Sequence, residues 1–370
     1  MVPSKIKAVI VESLGKVGGI ATVPTPKLRD DYILVKTIAV GLNPTDWQHV
    51  YLGIGGDPSG TRSGCDYMGI VEEVGSKVTK QFKKGDRIAG FTHGSNRIQH
   101  EDGAFAEYIV AKGDAQLKIP DNLSDEEGAV LGVGISTVGQ GLYQALQLAL
   151  PDKPLATPEP ILIYGGATAT GVYAIQFAKA FGYTVLTTAS PRHEEYLRSL
   201  GADAIFDYNS PTWSSDVKAA TNDQLKLAFD TIGSTETGKA TAAAMSSSGG
   251  RYSSTEDGGP ELIKAEFPNI TAQPILAYTI IGEEFVWADG DELIMFKARP
   301  EDFEFGKTFW ELARGLLASG QAKPVRTTVD FGGKGLEGVL VGLEELRQGK
   351  VRGGKLVYYV TSSKCIVAIL

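Results

Sequence analysis

The sequence predicts an α/β chain in two parts: a β-rich N-terminal unit, then a doubly wound parallel sheet flanked by helices, with a last strand returning to the first unit. Three observations carry this. Short β-branched runs bounded by Gly, Pro and Asp fill the first 120 residues, strand and helix patterns alternate beyond residue 160, and a glycine-bearing turn joins the first strand and helix of that alternation. With 370 residues the chain is long enough for two domains and needs no disulfide or metal staple to bury a core.

The β-rich part reads as "KAVIVE", "YILVKTIAVGL", "GIVEEVG", "DRIAGF" and "AFAEYIVA", an all-β texture with many turns. "NPTD" is the turn that ends the second run. From about residue 125 the texture becomes helical: Ser124 is placed to cap an acidic first turn, and helical spacing follows through Leu142, Ala145, Leu146 and Ala149. "PDKPLATPEP", residues 151–160, carries four prolines and must be a loop. Beyond it come "ILIY", "GVYAIQFAKAFG", "TVLTT", "RHEEYLRSLG", "AIFDY", "LKLAFDTI" and "TETGKATAAAM", with Gly182 and Gly201 placed as helix C-caps. This is the βαβ rhythm of a Rossmann-type domain. The closing "PVRTTVDFGGKGLEGVLVGLEELRQGKVRGGKLVYYV" returns to strand, helix and strand, and no internal repeat or low-complexity segment interrupts.

Composition excludes several classes. No stretch of 18 or more apolar residues suggests a membrane span, and the N-terminus suits a first strand better than a signal peptide, so the cytoplasm is expected. A net charge of −8, with 36 Lys and Arg scattered along the chain, proposes no nucleic acid partner. Cys65 and Cys365 cannot make a disulfide framework, and the Cys of "CIVAIL" lies sixth from the end rather than at a prenylation position.

The turn in "ILIYGGATATGVYAIQFAKAFG" nearly matches the dinucleotide fingerprint. Gly166 and Gly171 hold its first and third positions, and Thr168 stands at the second, where the pyrophosphate normally meets the backbone. The segment Gly166, Ala167, Thr168, Ala169, Thr170, Gly171 is expected to cradle a dinucleotide set slightly outward, with the Thr168 and Thr170 hydroxyls donating to phosphate oxygens beside the helix N-terminus. An NAD site wants an acid about 20 residues on, to accept from the ribose hydroxyls. Here the second strand ends "TTASPRH", with no acid before Glu194. Ser190, Pro191, Arg192 and His193 suit a 2'-phosphate, Tyr208 can cover the adenosine, and NADPH is the expected coenzyme.

In order and spacing, "GLNPTDWQ", "GCDYMGIVEEVGSKVTKQFKKGDRIAGF", "GAFAEYIV", "LGVGISTVG" and "GKVRGGKLV" resemble the medium-chain dehydrogenase/reductase superfamily over essentially the whole chain. "NPTDW" and "IYGGATATG" resemble its zinc-free quinone and enoyl reductase branch, most of all the trans-acting enoyl reductases that serve fungal polyketide synthases. That resemblance implies a GroES-like catalytic domain over 1–135 and 325–370 and an NADP-binding Rossmann domain over 136–324. Its zinc-dependent members place ligands where this chain has Asn43, Cys65 with Asp66, and Val133; Asn43 and Val133 are poor or impossible ligands, so no metal is expected. It also implies a cleft between domains with Gly132, Val133, Gly134, Ile135, Ser136 and Thr137 on one wall, Thr45, Asp46, Trp47 and Gln48 on another, and Ile281 and Gly282 near the mouth. Thr255, Arg352 and Gly353 join the coenzyme contacts.

Chemistry without a Lewis acid favours conjugate reduction, in which a hydride adds to the β-carbon of an enone or enoyl thioester and charge moves to the carbonyl oxygen. Thr45, Gln48 and Thr137 are the catalytic candidates. Gln48 stands where related reductases often carry Lys; an amide donates a hydrogen bond but not a proton, which leaves water, Asp46 or Tyr67 to supply it. His49, His93 and His100 read as weak signals, the last two as solvated loop residues, and no hydrolase arrangement is present. The expected substrate is an enoyl thioester on the acyl carrier of a polyketide synthase. A free-standing reductase of small enones and a nucleotide-binding protein that no longer reduces are the alternatives. Relatives dimerise through an edge strand that would lie near residues 274–282; Pro274 at its start discourages pairing, so a monomer is expected over a homodimer.

Overall fold

A computed structural model describes residues 1–150, 155, 157–289 and 292–360. Most of the proline-rich loop and the tail with Cys365 and "CIVAIL" lie outside the described residues. The chain groups into two compact units. One comprises Met1–Val133, Tyr278–Ala318 and the chain from Pro324 on; the other comprises Gly134–Ala277 with Ser319–Lys323. Tyr278–Ala318 thus goes with the β-rich unit, a grouping that the alternation of motifs does not reveal.

In the first unit β1 (Lys5–Ser13) pairs antiparallel with β2 (Lys16–Pro24), a strand whose glycines hid it from the sequence reading. β3 (Tyr32–Gly41) is the spine of a larger sheet: its alternating and continuous apolar residues are buried along almost the whole length. After α1 (Pro44–Leu52) come β4 (Asp66–Val74), β5 (Arg87–Phe91), β6 (Tyr108–Lys112) and β7 (Gln116–Lys118), which pair antiparallel as β3 with β4, β4 with β5, β3 with β6 and β5 with β7. Ile33, Val35, Tyr67, Val71, Ile88 and Phe105 fill the core beneath.

The helical stretch after Ser124 is interrupted. Ser124 does cap α2 (Asp125–Gly128): its Oγ accepts from Glu127 N at 3.3 Å while Glu127 Oε2 accepts from Ser124 N at 2.9 Å. The helix then stops and restarts as α3 (Gly132–Val138), passing into a π-helical turn over Gly139–Ala145 that ends before Ala149. The restart lies at a close approach: a Cβ on Gly132 would sit 2.3 Å from Gly90 O of β5.

The second unit is a six-stranded parallel sheet. Its elements are β8 (Pro160–Tyr164), α4 (Ala169–Ala180), β9 (Thr184–Thr188), α5 (Glu194–Ser199), β10 (Ala204–Phe206), α6 (Trp213–Ala220), β11 (Leu227–Asp230), α7 (Thr235–Ala244), β12 (Gly250–Ser254), α8 (Gly258–Glu266) and β13 (Ile270–Pro274). The strand order β10-β9-β8-β11-β12-β13 is the doubly wound arrangement, reversing between β8 and β11. Gly182 and Gly201 follow α4 and α5 with φ of 92° and 106°, as C-cap glycines should. The edge strand expected at 274–282 lies instead at β13, with Pro274 as its last residue. Proline has no N–H to extend a ladder, and Ala277–Ile281 turns into a 3₁₀ helix.

The remaining elements belong to the first unit. β14 (Phe285–Asp289) and β15 (Glu292–Phe296) form an antiparallel hairpin, followed by α9 (Pro300–Ala318), and none of the three was anticipated. β16 (Thr327–Val329), α10 (Gly335–Arg347) and β17 (Lys355–Tyr359) give the expected strand, helix and strand. β17 returns antiparallel to β3, with Val357 opposite Gly41.

Candidate active site

"NPTDWQ" is more than a turn: it starts α1. Pro44 supplies a helix-ready φ at the first position, and the Asp46 carboxylate accepts from Asn43 N at 2.7 Å, closing the end of the helix. The cap is buried. Asp46 is 2% exposed, and burial pushes its carboxyl up to about 7. The same first turn presents Thr45, half-buried, whose Oγ1 lies 2.7 Å from Tyr278 Oη and 3.2 Å from His49 Nδ1. His49 Nδ1 is also 2.8 Å from Thr45 O. Trp47 packs on the unit's own core, and the half-buried Gln48 side chain has no hydrogen bond among the described residues.

Behind α1 lies a buried cation. Lys355 Nζ donates to Asn43 Oδ1 at 2.7 Å and to Asp66 Oδ2, while Asp66 Oδ1 accepts from Val133 N at 2.7 Å. One ammonium thereby ties the start of α1 to the start of α3. The same contacts decide whether zinc fits. Asn43 and Asp66 are engaged by a positive charge, Val133 offers no donor atom, and burial holds the Cys65 thiol well above its usual range. At these four positions a divalent ion finds neither a thiolate nor an uncommitted side-chain oxygen, so they do not fit the metal.

His93 departs from the solvated reading: it is buried, as is His49, while His100 is exposed. Their rings join Tyr278, Phe285 and Trp287 in an aromatic cluster, with Tyr278 and His93 centroids 4.4 Å apart. Burial holds His49 down to about 4. Tyr67 is not placed to give a proton, since it is fully buried and donates to Gln116 Oε1 at 2.9 Å. A narrow pocket beside the cluster is lined by Tyr32, His93, Lys112, Tyr278 and Ile281 among others. Gly282 follows with φ of 72°.

In the second unit the candidate coenzyme residues gather at the carboxyl ends of the parallel strands. Gly165 makes the tight turn after β8 with φ of 80°, and Gly171 lets α4 press on it, since a Cβ there would meet Gly165 O at 2.3 Å. Thr168 is the N-cap of α4: its Oγ1 accepts from Gly171 N at 2.9 Å and sits 2.9 Å from Thr231 Oγ1, which itself donates to Tyr164 O. The Thr168 proton is therefore spent on Thr231, and the expected donation to a phosphate does not hold. The Ala169 and Thr170 N–H groups have no partner among the described residues, and with the half-buried Thr170 hydroxyl and Ala167 they form the anion-facing end of a 12-residue helix. After β9, Ser190 is half-buried and Pro191 and Arg192 are exposed, with Arg192 Nε donating to His193 Nε2 at 3.1 Å. Tyr208 is 45% exposed two residues past β10, and Thr255 follows β12. The glycine turn and the free N–H groups at the start of α4 fit a dinucleotide's diphosphate, and no acid occupies the end of β9.

Gly134, Ile135, Ser136 and Thr137 lie in the second unit. Gly134 is required where a Cβ would strike Tyr173, Ile135 is buried, Ser136 Oγ is buried without a partner among the described residues, and Thr137 is 5% exposed. Gly132 and Val133 belong to the first unit. Arg352 and Gly353 line an open hollow there with Arg326 and Lys350.

A β-rich unit closed by a returning strand, with a Rossmann sheet whose loops gather nucleotide-type donors, defines an oxidoreductase that uses a nicotinamide coenzyme. Residues 29–121 match the alcohol dehydrogenase GroES-like domain and residues 169–257 the zinc-binding dehydrogenase domain. Trans-enoyl reductase TOXD of Cochliobolus carbonum is 48% identical over 82% of this chain and 98% of its own, and trans-enoyl reductase ACTTS2 of Alternaria alternata is 42% identical over 96% and 98%. Among solved structures, the CurK enoyl reductase superposes with a TM-score of 0.75 at 17% identity, and the quinone oxidoreductase of Coxiella burnetii with 0.70 at 24%; each covers 96% of this chain, and 99% and 100% of its own. The chain belongs to the trans-enoyl reductases of the medium-chain dehydrogenase/reductase superfamily.

Proposed function

We propose that this protein is an NADPH-dependent, zinc-independent enoyl reductase that acts in trans on an α,β-unsaturated polyketide thioester held by a partner synthase's acyl carrier. The observation that carries the coenzyme choice is the end of β9, where Ser190, Arg192 and His193 stand in place of an acid. When bound, the reduced nicotinamide supplies the hydride. Ala169 and Thr170 N–H would hold its diphosphate at the α4 N-terminus, and Arg192 with Ser190 would take the ribose phosphate. As the substrate's β-carbon gains the hydride, its π-electrons pass to the α-carbon and carbonyl oxygen, where the Thr45 hydroxyl would meet the developing charge. Gln48 adds an amide donor without a proton to give, so water protonates the α-carbon. The relatives' shared name supports the alkene as the bond reduced.

The test is coenzyme consumption by the full chain with enoyl-thioester mimics. NADPH is expected to be oxidised at least about 10-fold more efficiently than NADH, and Arg192→Ala to close that gap, as loss of one charge-assisted contact implies. No oxidation with any mimic would overturn the assignment.

A further inference from the structure

We infer that Tyr278 and His49 are positioning residues that fix the Thr45 hydroxyl as an outward hydrogen-bond donor to the substrate oxyanion. The inference rests on the reductase reading above and deepens it. Thr45 Oγ1 has two lone pairs and one proton. The His49 tautomer is set by its nearer partner: a carbonyl oxygen only accepts, so Nδ1, 2.8 Å from Thr45 O, carries the proton, and the same N–H points at Thr45 Oγ1 from 3.2 Å. Tyr278 Oη has one proton and two neighbours, Thr45 Oγ1 at 2.7 Å and Cys65 Sγ at 3.4 Å. Sulfur is the weaker acceptor, and a phenol donates better than it accepts beside an aliphatic alcohol, so the proton goes to Thr45. Both lone pairs of Thr45 Oγ1 are then occupied, and its own proton has to point away from the aromatic cluster.

The rest of the surroundings keeps this orientation from relaxing. Tyr278 is 4% exposed and its ring is wedged among His49, Phe91, His93, Phe285 and Trp287, at centroid distances of 4.4 to 6.0 Å. His49 is 1% exposed, and its Nε2 has no partner among the described residues, so a proton there would be stranded and the Nδ1–H tautomer is the one that fits. Thr45 alone of the three is half-exposed, so only its proton has a way out. A donor oriented before the charge develops costs no reorganisation when the enolate forms, whereas an unanchored hydroxyl has to find that orientation each turnover. The step itself balances without Tyr278 or His49 giving up a proton: the hydride enters at the β-carbon, the oxyanion takes a hydrogen bond from Thr45, and the α-carbon takes its proton from water.

Because Tyr278 acts through Thr45, the experiment is a double-mutant cycle in kcat with the full chain and an enoyl-thioester mimic. Thr45→Val is expected to lower kcat about 100-fold, as loss of an oxyanion donor does. Tyr278→Phe should lower it about 10-fold with NADPH affinity, read by fluorescence titration, unchanged, and the double variant should be no slower than Thr45→Val. His49→Phe, which keeps a ring in the cluster, should behave as Tyr278→Phe does, and stands in for it if that variant does not fold. Wild-type kcat in both ring variants, or losses that multiply with Thr45→Val, would overturn the inference while leaving the reductase reading intact. A wild-type protein that oxidises no coenzyme would remove both.

Discussion

At the residue scale the site couples two buried groups with opposite proton preferences. His49 titrates near 6.5 when unfolded and is held at about 4 by burial, so between those values the unfolded chain holds a proton the folded one lacks. Its contribution is complete above 6.5 and is lost as pH falls towards 4. Asp46 runs the other way: burial raises it from 3.8 to about 7, so its contribution is lost as pH rises through that interval. His49→Asn, which keeps an N–H for Thr45 O, isolates the first effect. Urea unfolding at several pH values should show the stability gap moving in favour of the wild type by about 1 kcal/mol per pH unit from 4 to 6.5; a constant gap would refute it. Thr45 was legible because "NPTDW" has a local signature. Tyr278 was not, being 233 positions away, and a lone His between Gln48 and Val50 carries no periodic cue that its ring turns inward.

At the element scale the same division appears between what is local and what is not. The βαβ rhythm, the C-cap glycines and the Ser124 cap rest on neighbours within a turn, and all three are present in the structure. The break between α2 and α3 lies where Gly132 meets Gly90, and although Gly282 precedes β14 and Pro300 opens α9, no local signal assigns that stretch to the first unit rather than to the preceding sheet. Thr168 shows how a motif residue can change role. In the fingerprint its place belongs to a phosphate-facing glycine; here it is the helix cap. Thr168→Ala should therefore cost about 1 kcal/mol by chemical denaturation, and Thr168→Gly only a few tenths, because glycine is tolerated at an N-cap. Equal losses in the two variants would argue against the cap.

The whole molecule carries a nucleotide-type sheet and a β-rich unit in which the Lys355 ammonium engages Asn43 and Asp66. No described helix is long and apolar enough to cross a membrane. The proposed reaction follows from those residues: charge on an enoyl thioester's carbonyl oxygen would be met by hydroxyl and amide donors rather than by a Lewis acid. The measurement closest to this claim follows the hydrogen itself. With NADPH deuterated at the transferable position and an enoyl-thioester mimic in ordinary water, the saturated product should carry one deuterium, on the β-carbon, and an α-hydrogen from solvent. Product without deuterium, or with it on the α-carbon, would contradict the account.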